Sequence, residues 1–454
     1  MKKGKKQENA DIALEILDPI SVADYTNNYY MDYSLYVIQS RAIPNYIDGL
    51  KVVQRKLIYA ALQQASNKKT KVAELGSSLS SYEYLHGETS AQDALVGMAA
   101  GWKNNIPLFD GHGNFGSRLI QESAAPRYIY VSLSNKFKDT FTDSVVCDFR
   151  PDNPEPITYL PLIPWSLING ISGVAVGFAC NILPRDWKDV KQACLEYLTK
   201  GKIKTEIQVK YPHFRGTIEL LEDGRWATSG IISKEKIGRK EVYVISELPI
   251  GYDREKYFNY LLKLQNANKI SSFDDECDKE GFKFLVYTEP DQRKAIDKDM
   301  MKFFGLIKTE TENLSTVDEH GKLRIFANVQ DLIKDFCNFR LQKTKESLQY
   351  SINITETRIE ELKVRKQFIA NVVDNVINLK NYTKKELLSY VLTLGDINND
   401  IADKIISIPS YSFTKDNITE LDKTIAKCND ELNKLKNSNE KDILIDKIKK
   451  LNLE

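Results

Sequence analysis

Arg127 stands directly before Tyr128, at the end of a run that begins Gly113, Asn114, Phe115, Gly116 and carries Arg118 and the pair Ala124, Ala125. A tyrosine hydroxyl ordinarily keeps its proton to about pH 10. To attack a phosphodiester it must lose that proton, and cations are needed near the non-bridging oxygens as charge rearranges. A neighbouring guanidinium serves both needs. Alone, however, Arg-Tyr is an ordinary surface or core dipeptide, so its company decides. A second block runs from Arg41 to Lys56 and includes Asp48, Gly49, Leu50, Lys51, Gln54 and Arg55. It is basic and starts a helix just after a turn, where backbone amides and the helix dipole favour phosphate. The plainer alternative is a solvated basic helix face. A third block, Tyr84 to Thr89, puts His86 on a loop entering a helix, where a lone histidine is more often structural than catalytic. A fourth, Asn169 to Pro184, is glycine-rich around Val174 and by itself reads as a tight β-turn region.

Elements must hold these blocks in place. Lys51 to Ser66 and Thr89 to Trp102 read as helices, the second opening with a Thr89–Gln92 capping box. Asp48-Gly49 and the run from Asp110 to Gly116 are turn signals. Two helices followed by glycine-rich loops suggest a winged helix-turn-helix. From Pro151 to Asn328 strands dominate: a hairpin around Asp223-Gly224, strands at Val242–Ser246 and Phe282–Tyr287, and a helix over Glu255–Leu264. From Asp331 the pattern changes. Leu341, Leu348, Ile352, Ile359, Leu362, Ile369, Val373 and Val376 form one apolar stripe. Ile418, Leu421, Ile425, Cys428, Leu432 and Leu435 form another. Both read as coiled-coil seams, paired as an antiparallel hairpin around a small helical head containing Gly395 and Pro409. Two ordinary amphipathic surface helices are the plainer alternative.

The chain has 454 residues, enough for two to four domains, and 42% hydrophobic with 28% charged residues is a globular balance. A net charge of +1 means that any surface for nucleic acid must be local. Six scattered cysteines form no Cys-x-x-Cys pair, which argues against structural zinc and for a reducing compartment. The basic N-terminus is followed by no apolar run, and no stretch approaches the roughly 20 apolar residues of a membrane span. The expectation is a soluble intracellular protein.

The blocks, in this order and spacing, resemble the breakage–reunion region of type IIA DNA topoisomerases. That family shows Arg-x-x-Pro followed by Asp-Gly-Leu-Lys-Pro-x-(His/Gln)-Arg-(Arg/Lys), then His-Gly-(Asp/Glu), then Gly-x-Phe-Gly leading to Ala-Ala-x-x-Arg-Tyr. Asn169 to Pro184 is similar to its Asn-Gly-x-x-Gly-Ile-Ala-Val-Gly segment, whose isoleucine wedges between base pairs. The resemblance implies a multidomain α+β fold: a flexible lead (1–21), a winged-helix cleavage domain (22–150), a mixed α/β tower domain (151–330), and a long antiparallel coiled coil with a terminal dimer gate (331–454). It implies that Tyr128 forms a 5′-phosphotyrosine link, that Arg127 stabilises the phosphate, and that Arg41 and His86 lie near the scissile phosphate. Lys51, Gln54, Arg55, Lys56 and Arg118 would contact DNA, and Val174 would be the wedge. Thr89 and Asp93 match positions where quinolones act in related enzymes.

Departures from the pattern are Val52 for the usual proline, Tyr84 for a first histidine of bacterial gyrases, and the inserted Leu183. Eukaryotic-style residues at Gln54–Lys56 and Ser117–Arg118 mix with a bacterial-style Val-Ala-Val-Gly. That mixture most resembles the medium subunits of tailed-bacteriophage topoisomerases, which would work in the host cytoplasm. No Gly-x-x-x-x-Gly-Lys loop is present, and Asp297/Asp299 sit in a Lys- and Met-rich stretch read as a solvated face. The resemblance therefore implies an ATP-hydrolysing homodimer on double-stranded DNA. Mg2+ and ATP would come through a B-type partner subunit, and no metal would be held by this chain. With no wrapping domain after residue 454, gyrase-type supercoiling is not expected. The competing readings are an architectural DNA-binding dimer and a tyrosine recombinase. The latter needs its tyrosine near the C-terminal end, whereas here it lies early.

Overall fold

A strand's side chains alternate between its two faces, and the stretch after Arg127 uses that alternation. Ile129, Val131 and Leu133 are buried, while Tyr128 and Tyr130 are exposed. The computed structural model describes residues 21–64, 68–151, 154–238 and 240–454. The expected lead over 1–20 and the end of the first expected helix at Ser66 lie outside the described residues.

A helical run from Val22–Asp24 to Ile38–Ala42, with π-helical turns, brings Arg41 to its last turn. Helices α1 (Val52–Gln63), α2 (Val72–Ser77) and α3 (Glu88–Ala99) follow, with a small antiparallel sheet. Its strands are β1 (Thr70–Lys71), β2 (Phe109–His112) and β3 (Tyr130–Leu133), in the order β1-β3-β2. The hairpin of β4 (Ile171–Val174) and β5 (Ala179–Ile182) leads to α4 (Trp187–Lys200).

The expected start of the second helix is corrected. The helix begins at Glu88 with Gly87 as its cap, so Thr89 is inside it and makes no capping box. Glu88 is instead held from outside by the Ser77 hydroxyl at 2.8 Å. A side-chain cap does occur at α1, where Gln54 Oε1 accepts the Lys51 N–H at 2.8 Å.

The middle of the chain is strand-rich as expected. β6 (Thr217–Leu220) and β7 (Trp226–Ser229) form the hairpin at Asp223-Gly224, with Gly224 at φ +79°. Next come β8 (Ile231–Ile237), β9 (Lys240–Glu247), α5 (Arg254–Asn266), β10 (Ser272–Asp275) and β11 (Phe284–Tyr287). Four of these strands make a sheet in the order β10-β11-β9-β8. Its own core includes Tyr243, Tyr257, Phe284 and Phe304. Packing crosses the expected division at 150/151. One continuous core runs from Ile38 through Leu198, then takes in Leu314, Val317, Leu332, Phe336, Leu444 and Leu453.

α6 (Val329–Val373) is one 45-residue helix, capped by the Asn328 side chain on the Asp331 N–H. At 1.5 Å per residue it is about 67 Å long. α7 (Lys415–Lys436) lies antiparallel along it, as the ion pairs Lys366–Asp422 and Glu356–Lys436 establish. The apolar stripe of α6 is buried or half-buried from Leu341 to Val373. Val376 is the exception: the helix has ended, and it is 68% exposed. Between the helices a head with its own core packs Val364 and Phe368 against Val391, Ala402 and Ile405. Finally α8 (Glu440–Lys450) returns to the main core through Leu444 and Ile448.

Two buried charge clusters fasten these parts. Asp48, fully buried, accepts from the Leu50 N–H, the Tyr159 N–H and Arg55 Nε at 2.9, 3.1 and 3.0 Å. Lys56 donates to Glu155 at 2.9 Å and to the Tyr82 carbonyl at 2.7 Å. Arg55 and Lys56, expected to touch DNA, are thus buried and paired within the chain. In the second cluster Asp143 meets Arg340 of α6 at 2.8 Å and Lys447 of α8 at 2.7 Å.

Removing one partner of a buried pair leaves the other charge stranded. Arg55→Ala should therefore lower unfolding free energy by about 3–5 kcal/mol in urea titrations. A variant of unchanged stability that binds duplex more weakly would restore Arg55 as a phosphate contact.

Burial raises the Asp143 carboxyl, but Arg340 and then Lys447 outweigh it and hold the group at about 2. A depressed carboxylate pKa gives stability that is present above the ordinary value and lost as pH falls through about 2. Asp143→Asn keeps the residue's left-handed backbone (φ +59°), which asparagine tolerates. The variant should be less stable by about 3 kcal/mol at neutral pH. The gap should narrow as pH falls from about 4 toward about 2. A gap independent of pH would show that the carboxylate's charge is not what binds α6 and α8.

Candidate active site

Tyr128 sits one residue before the buried anchor Ile129 and is 66% exposed. Its N–H closes a turn on the Ala125 carbonyl at 2.9 Å, and Val72 of α2 donates to the Ile129 carbonyl at 3.0 Å. The backbone is thus pinned from both sides while the phenol faces outward. The Tyr128 hydroxyl makes no hydrogen bond among the described residues. The Arg127 guanidinium lies over the Tyr128 ring, 4.6 Å from its centre. A cation over an aromatic face is attracted by the ring quadrupole. These two expected residues are brought together.

Arg41 is exposed and makes no ion pair or hydrogen bond among the described residues. Its neighbour Ala42 backs onto the β4–β5 hairpin: a Cβ on Gly173 would run into the Ala42 carbonyl and approach Lys51 Nζ to 3.3 Å. Glycine at 173 is therefore required for the hairpin to seat between Ala42 and Lys51. Val174 follows it and is 82% exposed, an apolar side chain held out on a short antiparallel pair. Arg41, Lys51 and Val174 thus lie around one contact.

His86 lies on the loop before α3. Its Nε2 lies 3.4 Å from the Tyr36 hydroxyl, and its ring stands edge-on to Tyr84, with centroids 5.3 Å apart. This ties the first helical run to the start of α3. Tyr36 had no motif to mark it.

Lys51 and Gln54 line a cleft of ≈ 340 Å³ with Ser90, Asp93, Lys103 and Ser172. Gln54 is spent on the α1 cap. Arg118 is a further correction. It pairs with Glu247 at 2.9 Å, donates to the Leu248 carbonyl at 2.9 Å and lies over the Phe214 and Phe282 rings. Burial lowers its pKa and Glu247 opposes that shift. It joins the loop after β2 to the strand-rich region and turns its guanidinium inward.

The residues present do not fit a metal. Among the described residues no three His, Cys, Asp or Glu side chains gather as ligands. Asp297 accepts from the Tyr243 hydroxyl at 2.7 Å and pairs with Lys234 at 3.0 Å, and Asp299 caps the helix Met300–Phe303. No step is routed through a metal on this chain. No helix among the described residues is long and apolar enough to cross a membrane.

Residues 41–454 match the family of A-type subunits of DNA gyrase/topoisomerase IV. The DNA topoisomerase medium subunit of Enterobacteria phage T4 is 36% identical over 405 residues, covering 87% of this chain and 90% of that protein. Human DNA topoisomerase 2-alpha is 29% identical over 373 residues, 78% of this chain but only 24% of the human protein. Among solved structures, the DNA-binding, cleavage and re-ligation domain of Plasmodium falciparum topoisomerase II superposes with a TM-score of 0.84 at 26% identity. That match covers 95% of this chain and 64% of the other. The match along nearly the whole chain and the shared fold lead to one conclusion: this chain belongs to the DNA gyrase/topoisomerase IV family of A-type subunits, within the type II topoisomerases.

Proposed function

We propose that this chain is the DNA-cleaving and religating subunit of a type IIA topoisomerase, with Tyr128 as nucleophile. The observation that carries the proposal is a tyrosine whose backbone is pinned, whose hydroxyl is free, and whose ring lies under the guanidinium of the preceding arginine. The Tyr128 oxygen attacks the phosphorus in line as its proton leaves. The P–O3′ bond breaks and the 3′-oxygen departs, taking up a proton. The product is a 5′-phosphotyrosine ester, which keeps the ester's bond energy for religation. Arg127 is in reach of the phosphate oxygens where charge gathers. Arg41 and Lys51 hold the backbone beside the wedge, and Val174 enters between base pairs to bend the duplex.

Two copies would each cut one strand. We assign residues 22–150 as winged-helix domain, 151–330 as tower and 331–454 as coiled coil with dimer gate, with parts of all three contributing to one core. The 45-residue α6, its antiparallel partner and their head support the last of these. Members of this family use Mg2+ and ATP as holoenzymes. Here we place both on a partner B-type subunit, following the resemblance to the A-type subunits.

The test is covalent trapping. The chain is mixed with supercoiled DNA, Mg2+ and its partner subunit, denatured with detergent, and examined for protein-linked linear DNA. Wild type should give an adduct. Tyr128→Phe should give none and melt at the same temperature, because the lost hydroxyl bonds nothing in the fold. An adduct that survives the substitution displaces Tyr128. Duplex binding with no adduct in the intact complex favours an architectural dimer instead.

The wedge is tested separately. Val174→Ala should reduce duplex bending, read by end-to-end energy transfer, and lower cleavage roughly tenfold, since unstacking a step costs a few kcal/mol. An unchanged bend angle would remove the wedge role.

A further inference from the structure

The cleft beside Lys51 holds a second lysine, Lys103, that the proposed function does not use. Lys51 is half-buried, and its ammonium makes no hydrogen bond or ion pair among the described residues. Lys103 lines the same cleft and is also unpaired. Asp93 is the one carboxylate among the lining residues, and it pairs with neither lysine within 4 Å. Burial lowers the Lys51 pKa, the Cys180 thiol opposes this, and Lys103 lowers it further. Two like charges facing one partly desolvated space are unfavourable unless an anion joins them.

The placement of both lysines is built. The Lys51 N–H is fixed by Gln54, and the Gly173 backbone of the wedge hairpin packs against its ammonium. Lys103 follows the end of α3, where Asn104 Nδ2 donates to the Gly97 and Ala100 carbonyls at 2.7 and 2.9 Å. That lock turns Lys103 back over Gly97: a Cβ there would lie 3.8 Å from Lys103 Nζ, at ordinary contact distance. A lysine at a helix C-terminus gains from the dipole, which accounts for part of the position of Lys103 but not for that of Lys51. The cleft's floor is Asn169 to Ser172, the first residues of the hairpin that ends in Val174.

We propose that Lys51 and Lys103 together form a phosphate-binding site at the root of the wedge hairpin, holding one backbone phosphate of the bound duplex. Lys103 is then a positioning residue that sets the depth of Val174 in the helix. The choice of duplex phosphate over free phosphate rests on the proposed function.

Duplex binding of the full chain is measured by anisotropy across salt concentrations. Each phosphate contact contributes a slope of about 0.9 in log affinity against log salt. Lys103→Ala should lower affinity several-fold and reduce the slope by about one. Lys51→Ala should do the same. The double variant should lose little more than either single, because the two lysines share one phosphate. Lys279→Ala, on an exposed turn, is the control and should change the slope less. Unchanged slopes in both lysine variants, with duplex binding intact, overturn the site. In a second arm, melting is followed with inorganic phosphate alone. Stabilisation lost in both variants, with duplex slopes unchanged, assigns the cleft to a free phosphate instead. If wild type binds no duplex at all, the proposed function falls, and the inorganic phosphate arm alone decides the site.

Discussion

One buried carboxylate organises the front of this molecule. Asp48 has no exposed surface, and it ties three stretches of chain: its own turn through the Leu50 N–H, α1 through Arg55, and the segment near 159 through a backbone N–H. Burial alone pushes its carboxyl up, and Arg55 with the backbone donors pulls it back. A buried charge of this kind persists only when its lone pairs are filled, and here they are. The next residue, Gly49, takes φ +64°, and a side chain there would strike the Ser166 backbone, so both conformation and space call for glycine. From this knot follow the direction of α1, the position of Lys51 at its cap, and the seat of the wedge hairpin against Ala42. The Asp143 cluster does the same for the back, joining two helices almost 110 residues apart in sequence to the main core.

Much of this was legible in the sequence, for physical reasons that differ by region. The α6 and α7 stripes step by three and four, and both turned inward along their full length apart from Val376, which lies past the helix end. The hairpin at Asp223-Gly224 was readable because a two-strand turn needs a left-handed glycine. The alternation around Tyr128 was readable in principle too, since Ile129, Val131 and Leu133 mark the inner face.

What the sequence hid is where charges go. A basic block looks alike whether its side chains face solvent or each meets a carboxylate distant in the chain. Lys56 finds Glu155 and Arg118 finds Glu247, 99 and more than 100 residues away. No local pattern encodes those partners, so the internal ion pairs of Arg55, Lys56 and Arg118 were not legible. The same blindness concealed Lys103. It belongs to no motif and is distinguished only by pairing with no acid once the chain is folded. The shared core was hidden for a related reason. Hydrophobic patterning along the chain marks elements, whereas the core is assembled from Ile38, Leu198, Leu332 and Leu453 alike.

These two uses of positive charge explain how a chain of net charge +1 can handle a polyanion. Buried cations such as Arg55, Lys56, Arg118 and Arg340 are matched by buried carboxylates, so they fix geometry and add little outward field. The unmatched cations Arg41, Lys51 and Lys103 remain, gathered near the hairpin that presents Val174, with Arg127 over the exposed tyrosine. A fixed cation without a partner is already desolvated in part and needs no rearrangement when a phosphate arrives. The internal ion pairs make that possible: a loop held only by its own turn would let Lys51 fold back onto Asp93 and cancel the site. Rigidity at Asp48 and openness at Lys51 are thus two consequences of one packing arrangement, and a substitution that loosens the first should close the second.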